Sequence, residues 1–304
     1  MELIPPGTKI DFVGYRNVAI LASIALIAVG GAIMVLRGGF NLGIDFAGGS
    51  VVQVRFGQTA TAEDVRRALD GADVGAVTIQ DLGGVANEFL IRIPQVPGQE
   101  ESMTKRAVDA LKAKFGADKV DVLRVESVGP RVGKELRQKA ILAVLFATVM
   151  MGVYIWARFE WRFGLGAAVA LFHDVFLTLA ALILWNYELD LTIVAALLTI
   201  VGFSVNDTVI VSDRIRENMR KDHRAPLAAI INRSINETLS RTILTTGTAW
   251  LVVTVLYFLG GVVIQGFAFA LVVGFIFGTY SSIYIASPVV LFFERGRGAS
   301  RRRA

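Results

Sequence analysis

The chain has 304 residues, of which 54% are hydrophobic, and a formal net charge of +5. A soluble protein of this length would divide its apolar residues between one or two cores, but here they form runs near or above the length that spans a bilayer. The composition therefore argues against ordinary soluble domains, and the absence of cysteine excludes disulfides. It predicts a polytopic α-helical membrane protein.

Six apolar runs are the predicted membrane spans. They cover residues 18–36, 140–157, 163–185, 189–211, 242–259 and 263–293. The first follows a short basic stretch, but it is long and no small-residue cleavage site ends it convincingly, so we interpret it as an uncleaved anchor. The fifth is polar for a membrane helix, and the last is long enough to need a tilt or an end outside the bilayer.

Most of the basic residues outside the largest hydrophilic stretch lie on one side of the predicted spans. They occur before the first span, in the link 158–162, within 214–233 and in the tail 295–303, whereas the links "NYELD" and "GGVVIQG" carry none. The positive-inside rule then predicts that residues 1–17 and the basic tail 294–304 are cytoplasmic, with membrane lipid around the spans between them. Because the charge of the tail is explained as a topology signal, no nucleic-acid partner is expected.

Residues 37–137 form the one sizeable aqueous region, which the same rule predicts to be extracytoplasmic. "SVVQVRF" alternates like a strand, "TAEDVRRALD" begins with a threonine cap and repeats with helical period, and "AVTIQDL" and "EFLIRIP" are further strands. "EESMTKRAVDALKAKFG" is an amphipathic helix closed by Gly116, and "KVDVLRVESV" is the last strand. This order predicts an α+β domain with the βαββαβ, ferredoxin-like fold. Without a phosphate loop or a metal-ligand cluster, it is expected to serve folding or docking.

The second to sixth spans, within 138–293, contain no clear internal repeat. Many transporters are built from two homologous halves. A six-span chain of this kind is therefore consistent with one half of a transporter, whose counterpart lies on another polypeptide.

The last span carries a small residue at every fourth position. These residues are Gly266, Ala270, Gly274, Gly278, Ser282 and Ala286. Small side chains let two helix backbones approach closely in lipid. The stripe therefore predicts a packing face, either within this chain or against a partner.

The fourth span contains a carboxylate, Asp207, at the end of an apolar run. Ser204, Asp207 and Thr208 share one helical face with Val211. A charged residue near the centre of a membrane helix costs about 2.5–3.5 kcal/mol, and such residues usually face the bundle interior and mark an ion or substrate route. We predict such a role for Asp207; the alternative is that it lies near enough to the cytoplasmic end to be solvated.

The fifth span offers this carboxylate a partner. Glu237, Arg241, Thr245 and Thr248 share one face, and Arg241 enters the fifth span at about the depth at which Asp207 leaves the fourth. An ion pair would lower the cost of burying both groups, and breaking it would leave the carboxylate ready to take up a proton, as in a proton relay. The alternative is that Arg241 extends to the cytoplasmic headgroups.

The third span carries His173 and Asp174 about ten residues from either end. A histidine beside a carboxylate is a candidate proton carrier, and the alternative is a static buried pair that fixes helix packing. No metal site is expected, because the only other histidine, His223, lies in a predicted cytoplasmic loop and the chain has no cysteine. No Ser/His/Asp triad is found either, so an enzyme is not expected.

Several stretches, taken together, resemble one known family. They are "FNLGIDFAGGS" (40–50), "VESVGPRVG" (125–133), "RFEWR" (158–162), "FHD" (172–174), "VGFSVNDTVIVSDRIRE" (201–217), "TLSRTILTTGT" (238–248) and "GTYSSIYIAS" (278–287). In order and spacing, over nearly the whole chain, they resemble the SecF subunits of the bacterial SecDF protein-translocase accessory complex. That family belongs to the resistance–nodulation–division transporter superfamily.

The resemblance implies a subunit of the bacterial cytoplasmic membrane that works with SecD beside the SecYEG channel and the SecA motor. Such subunits use the proton gradient to promote export of the translocating preprotein. The family's membrane carboxylate falls on Asp207 and its membrane arginine on Arg241, with Thr245 one turn further along. A further essential carboxylate belongs to SecD, so this chain would hold only half of a proton path.

The resemblance implies no cofactor, and the coupling ion is expected to be a proton, although some relatives use sodium. Two other functions stay open. One is half of an exporter for lipid or small molecules within the same superfamily. The other is a scaffold subunit that transports nothing and only stabilises a partner.

Overall fold

The computed structural model describes residues 5, 8–82, 87–94 and 100–293 of the chain. Over these residues the elements are α1 (Arg16–Leu36), α2 (Ile44–Ala47), β1 (Gly49–Phe56), α3 (Ala62–Leu69), β2 (Thr78–Asp81), β3 (Glu88–Ile93), α4 (Glu100–Phe115), β4 (Val120–Val128), α5 (Pro130–Arg158), α6 (Trp161–Leu184), α7 (Leu191–Lys221), α8 (Leu227–Leu259) and α9 (Val262–Ser281). A π-helical turn over Ser282–Ala286 continues α9. The predicted basic tail 294–304 lies outside the described residues.

Within the described part of the chain, six helices are long and apolar enough to cross a membrane: α1, α5, α6, α7, α8, and α9 with its continuation to Phe293. Together with the sheet domain between α1 and α5, they confirm the predicted fold class. α8 has 33 residues, which makes it about 50 Å long. It therefore extends well beyond a hydrocarbon core of about 30 Å.

The helices α7 and α8 continue past the apolar runs that predicted them. The predicted spans ended at residue 211 and began at residue 242, whereas α7 continues to Lys221 and α8 begins at Leu227. The polar extensions pack against each other, with Asn218 Nδ2 donating to Ser234 Oγ at 3.0 Å and to Glu237 Oε2 at 2.7 Å. Hydropathy alone could not locate these ends, because a helical hairpin stabilised by polar contacts needs no apolar run.

The sheet domain has strand order β2-β3-β1-β4, and the strand pairs within it are antiparallel. With α3 and α4 between the strands, this is the βαββαβ, ferredoxin-like arrangement predicted from the sequence. The central strand β1 pairs Val52 with Ile91 on one side and with Val125 on the other. Its alternate residues Val52, Val54 and Phe56 enter the apolar core beneath the helices.

The predicted helix boundaries at Thr61 and Gly116 are confirmed. The Thr61 side chain accepts a hydrogen bond from Asp64 N, while the Asp64 side chain accepts one from Thr61 N at 3.1 Å, which forms a capping box. The hydrogen bonds from Thr61 lower the pKa of the Asp64 carboxyl below its ordinary value. At the end of α4, Gly116 adopts a φ of 97°, which is accessible to glycine at little cost.

The stretch "GIDFAGG" forms the root of the sheet domain. Gly48 and Gly49 have φ values of 81° and 125°, and they turn the chain from α2 into β1. The first turns of α5 pack closely on this root: a Cβ added to Gly133 would lie only 3.3 Å from Gly48 N. These glycines therefore shape the backbone where the chain enters the sheet domain.

α7 is the central helix of the membrane bundle, since it packs against α5, α6, α8 and α9, whereas α1 packs mainly on α6. Ala196 and Ile200 of α7 are fully buried. The small-residue stripe of α9 lies against α7 of the same chain. A Cβ on Gly278 would lie 3.1 Å from Ser204 Cβ, and one on Gly274 would overlap Ile200. The central helix is also the one that carries Asp207.

Candidate functional site

Asp207 lies inside the bundle. It is 1% exposed, and Ser204, Thr208 and Val211 on the same face of α7 are also buried. The alternative of a solvated carboxylate therefore does not hold in this structure. The spacing i, i+3, i+4 and i+7 places these four residues on one buried face of α7, where the acid lies among hydroxyl and aliphatic side chains.

The two oxygens of Asp207 have different surroundings. Oδ2 accepts a hydrogen bond from Thr246 Oγ1 at 3.0 Å, and Thr246 in turn accepts one from Thr279 Oγ1 at 3.1 Å. Oδ1 is buried and has no hydrogen-bond partner among the described residues. A buried polar atom without a partner is costly. The bare oxygen is therefore the atom of this cluster at which a proton can bind.

The predicted contact between Asp207 and Arg241 is not made in this structure. Arg241 is exposed, and no hydrogen bond or ion pair within 4 Å joins it to Asp207 among the described residues. The contact of Asp207 on α8 is Thr246, which is five residues from Arg241. Five residues correspond to a rotation of about 140° around a helix, so the two side chains leave α8 in different directions.

Thr245 also lies away from the carboxylate. Its hydroxyl donates to the backbone oxygen of Arg241 at 2.8 Å, within its own helix. The buried face of α8 instead carries Thr238, Thr242 and Thr246. The sequence did not lead us to predict Thr246 as the partner of Asp207. Its position four residues after Thr242 and eight after Thr238 nevertheless indicates a buried helix face lined with hydroxyl groups.

Arg241 faces a polar groove of about 600 Å³ between α5, α7 and α8. The residues around the groove include Asn206, Asp213, Arg214, Glu217, Glu237 and Arg241. Arg214 pairs with Glu217 and Glu237, each at 2.6 Å. Arg241 therefore lies beside Asn206, the chain neighbour of Asp207, on the side of α7 that is open to a partner or to solvent.

His173 and Asp174 belong to a second, closed network. Asp174 Oδ1 lies 3.1 Å from His173 Nδ1, and its Oδ2 accepts from Ser204 Oγ at 2.7 Å and from Ser281 Oγ at 2.8 Å. His173 Nε2 lies 3.1 Å from Ser23 Oγ. The network links α1, α6, α7 and α9, and each of its carboxylate oxygens has a partner.

The two clusters are one turn apart on α7 and differ in what they can do. The hydroxyl of Ser204, which we expected beside Asp207, bonds to Asp174 instead. Thr208 Oγ1 lies 2.8 Å from Ser282 Oγ at the π-helical turn of α9. A network with every oxygen satisfied is suited to fixing helix positions, whereas Asp207 keeps an open acceptor. The described residues contain no group of three or more His, Cys, Asp or Glu placed to hold a metal.

The sheet domain is tied to the start of α7. Asp45 Oδ2, in the root of the domain, accepts from Leu191 N at 2.9 Å, and Gly43 N donates to Leu189 O at 2.8 Å. Arg92 of β3 forms an ion pair with Glu188, just before the helix. The helix that carries the buried carboxylate is thus connected at its first turn to the domain outside the bundle.

Comparison with protein families gives two matches. The profile described as "Protein export membrane protein SecD/SecF, C-terminal" matches residues 107–296, and "SecD/SecF GG Motif" matches residues 30–60. Among curated proteins, the chain is 45% identical to "Protein translocase subunit SecF" of Magnetococcus marinus, over 100% of this chain and 97% of that protein. It is 44% identical to the protein of the same name from Desulfurispirillum indicum, over 94% and 92% of the two chains.

Two solved structures also resemble the chain. The crystal structure of SecDF, a translocon-associated membrane protein from Thermus thermophilus, matches with a TM-score of 0.82 and 36% identity over 95% of this chain. A structure of SecDF in a super-membrane-facing form matches with a TM-score of 0.73 and 36% identity over 100% of this chain. The chain spans only 39% and 41% of those two SecDF chains.

Proposed function

Because the chain belongs to the SecF family of protein-export membrane proteins, we propose that it uses the proton gradient to promote preprotein export across the bacterial cytoplasmic membrane. The proposed partner is SecD, which would supply the part of SecDF that this chain does not span. The complex would act beside the SecYEG channel and SecA. With both termini in the cytoplasm, the polar α7–α8 hairpin faces that side and the sheet domain the other.

One observation supports the proton step more than any other: the bare, buried Oδ1 of Asp207. An isolated ionised carboxylate in an apolar bundle is very unfavourable, so such a group either pairs with a cation or takes up a proton. In this structure its hydroxyl partner is Thr246 and the guanidinium of Arg241 is apart from it. We interpret this arrangement as the proton-loaded state, and the paired arrangement as the state after proton release.

The ties to the sheet domain supply a route from the proton to the preprotein. Sixteen residues separate Leu191 from Asp207, a distance of about 24 Å along α7. A tilt or rotation of α7 that accompanies proton release would therefore act on Asp45 and on the Arg92–Glu188 ion pair at its far end. A membrane potential of ~100 mV supplies about 2.3 kcal/mol per proton, and a few kcal/mol strongly biases a two-state motion.

The proposal is tested by proton flux in vesicles that contain this chain and SecD, with and without a translocating preprotein. Asp207→Asn keeps the shape of the side chain but cannot exchange a proton. It is expected to reduce preprotein-dependent flux to the background of empty vesicles and to abolish the stimulation of export by the proton gradient.

Asp213→Asn is the matched control, since the same change is made six residues further along the same helix at an exposed position. It is expected to leave flux and export at wild-type levels. Flux through Asp207→Asn at the wild-type rate would contradict the proposal, and so would flux that follows a sodium gradient instead of a proton gradient.

The mechanical link is tested separately by Asp45→Ala. Loss of the side-chain bond to Leu191 N removes a helix cap worth about 1 kcal/mol together with a tie between the sheet domain and α7. We expect export to fall about fivefold while the amount of assembled complex stays constant.

Asp190→Ala is the control for capping alone. Asp190 Oδ1 also accepts from the first turn of α7, at 2.9 Å from Ile193 N, and its side-chain hydrogen bonds stay within its own chain segment, to Thr192 and Ile193. Its loss should weaken the helix start to a similar degree and leave export unchanged. An equal fall in export for both variants would mean that helix stability, not the link, is what matters.

A further inference from the structure

A second candidate site lies on the sheet-domain side of the bundle. A groove of about 270 Å³ runs between α5, α6 and α7 beneath the domain root. Its walls are apolar, formed by residues such as Ile141, Phe172 and Leu197, and among the described residues that line it only Arg137 is charged. The hydroxyl of Thr148 at the far end donates to Val144 O at 2.8 Å, so it adds no free polar group to the floor.

The length of the groove matches one leaflet of a bilayer. On α5 its lining residues continue from Arg137 through Ile141, Val144 and Leu145 to Thr148, all on one helical face. Eleven residues of α helix measure about 16 Å, which is close to half of a hydrocarbon core of about 30 Å. The groove therefore begins with a cation at the height of the headgroups and ends near the midplane.

Basic residues are concentrated at this end of α5. The first ten residues of the helix contain Arg131, Lys134, Arg137 and Lys139 with a single acid, Glu135. Arg131 pairs with Glu135 at 3.4 Å, whereas Lys134 and Arg137 are exposed and contact no carboxylate within the described ranges. Lys134 lies one turn before Arg137 on the groove face. The other two links on this side of the membrane carry no basic residue, so the cluster is opposite to the usual charge distribution.

We propose that this groove binds an anionic phospholipid of the leaflet next to the sheet domain. Arg137 and Lys134 hold its phosphate, and one acyl chain lies along the α5 face as far as Thr148. We infer an anionic lipid because the positive charges of Arg137 and Lys134 lie at the headgroup end of the groove. A larger apolar groove of about 680 Å³, between α1, α6 and the end of α9, has no lysine or arginine among the described residues of its lining and lacks this recognition element.

The site would place a lipid against both the domain root and α7, the helix that carries Asp207. Phe46 of the root and Phe40, which precedes the root, line the groove on one side, and Ile193 and Leu197 line it from α7. A lipid bound here contacts the two parts whose relative movement the export cycle requires. This role rests on the proposed function, whereas binding of the lipid does not.

The test is lipid retention by the full chain purified with SecD, measured by native mass spectrometry. The probes are phosphatidylglycerol and phosphatidylcholine with identical acyl chains. We expect phosphatidylglycerol to be retained in preference, and Arg137→Gln to weaken its binding about fivefold, which corresponds to about 1 kcal/mol per basic residue near a membrane surface. Lys134→Gln should add a further loss in the double variant.

Matched controls separate a site from general attraction. Lys139→Gln removes the same charge from the same helix end but leaves α5 in another direction, so it should retain the lipid as wild type does. Leu145→Trp fills the groove and should lower retention, whereas Leu142→Trp lies outside the lining and should not. An equal loss for Lys139→Gln, or equal retention of the two lipids, would overturn the proposal.

The rival occupant is a helix of the partner subunit. Since the chain has no cysteine, Ile141→Cys provides a unique attachment point for a cross-linker in native membranes. Cross-linking to lipid supports the proposal, and efficient cross-linking to SecD with no retained lipid overturns it. Neither result depends on proton flux, so failure of this inference is distinguishable from failure of the proposed function.

Discussion

Asp174→Ala is expected to lower the free energy of unfolding by about 3–5 kcal/mol, the range measured when one partner of a buried charged network is removed. Asp174 is fully buried and accepts from Ser204 and Ser281 while lying 3.1 Å from His173 Nδ1. Alanine leaves those three groups without an acceptor in a medium that offers no water. The measurement is reversible unfolding of the purified complex in mixed detergent micelles.

The control is Asp213→Ala, which makes the same truncation at an exposed position of α7 and should change stability by no more than about 0.5 kcal/mol. Asp174→Asn separates the two roles predicted for the His173–Asp174 pair. If the pair is static, the amide keeps part of the network: the variant is less stable than the wild type, but proton flux continues. If flux disappears while the variant stays folded, the pair carries protons, and the relay involves more than Asp207.

The sheet domain was predictable from the sequence because its signals are local. The alternation of "SVVQVRF", the threonine at the start of α3 and Gly116 at the end of α4 each determine a structure within a few residues. Six strand and helix segments in the order βαββαβ then leave few topologies, and the observed order β2-β3-β1-β4 follows. The strand pairing could therefore be predicted from the order of the segments along the chain, without any information on long-range contacts.

The membrane site was only partly predictable. Asp207 could be predicted as a site residue because a charge in an apolar run has few explanations, and its side chain is buried in the structure. Its partner on α8 was not identified, because hydroxyl residues are common in that helix and only the rotation of α8 about its axis decides which of them faces α7. Charge complementarity favours Arg241, whereas the buried face of α8 carries Thr242 and Thr246, and Thr246 is the residue that bonds to Asp207.

That difference affects how the proposed proton relay is understood. With Thr246 at 3.0 Å and Arg241 apart, the carboxylate is adjacent to a weak, neutral donor. The cost of charging it is therefore high in this arrangement and becomes lower only when the guanidinium approaches. Movement of α8 relative to α7, or closure of the polar groove by the partner subunit, would bring that about. The pairing predicted from the sequence thus stays a prediction for the other state of the cycle.

Gly274→Ala is expected to lower the free energy of unfolding by about 1–3 kcal/mol, the usual cost of overpacking a core. A Cβ at this position would overlap Cδ1 and Cγ1 of Ile200 and lie 3.1 Å from its Cγ2. Ile200 is fully buried and β-branched, so it cannot turn away without displacing its own neighbours. The same unfolding measurement in micelles applies.

Two further variants determine whether steric overlap is the cause. At Gly202, where the added Cβ has no described atom within 4 Å apart from the nearby backbone of its own helix, alanine should instead stabilise the chain by up to about 1 kcal/mol through helix propensity. In an Ile200→Ala background the overlapping atoms are absent, so Gly274→Ala should add no cost, and the double-mutant cycle should show strong coupling between the two positions. If Gly274→Ala costs the same free energy of unfolding in both backgrounds, the small-residue stripe matters for some reason other than the close approach of α9 to α7.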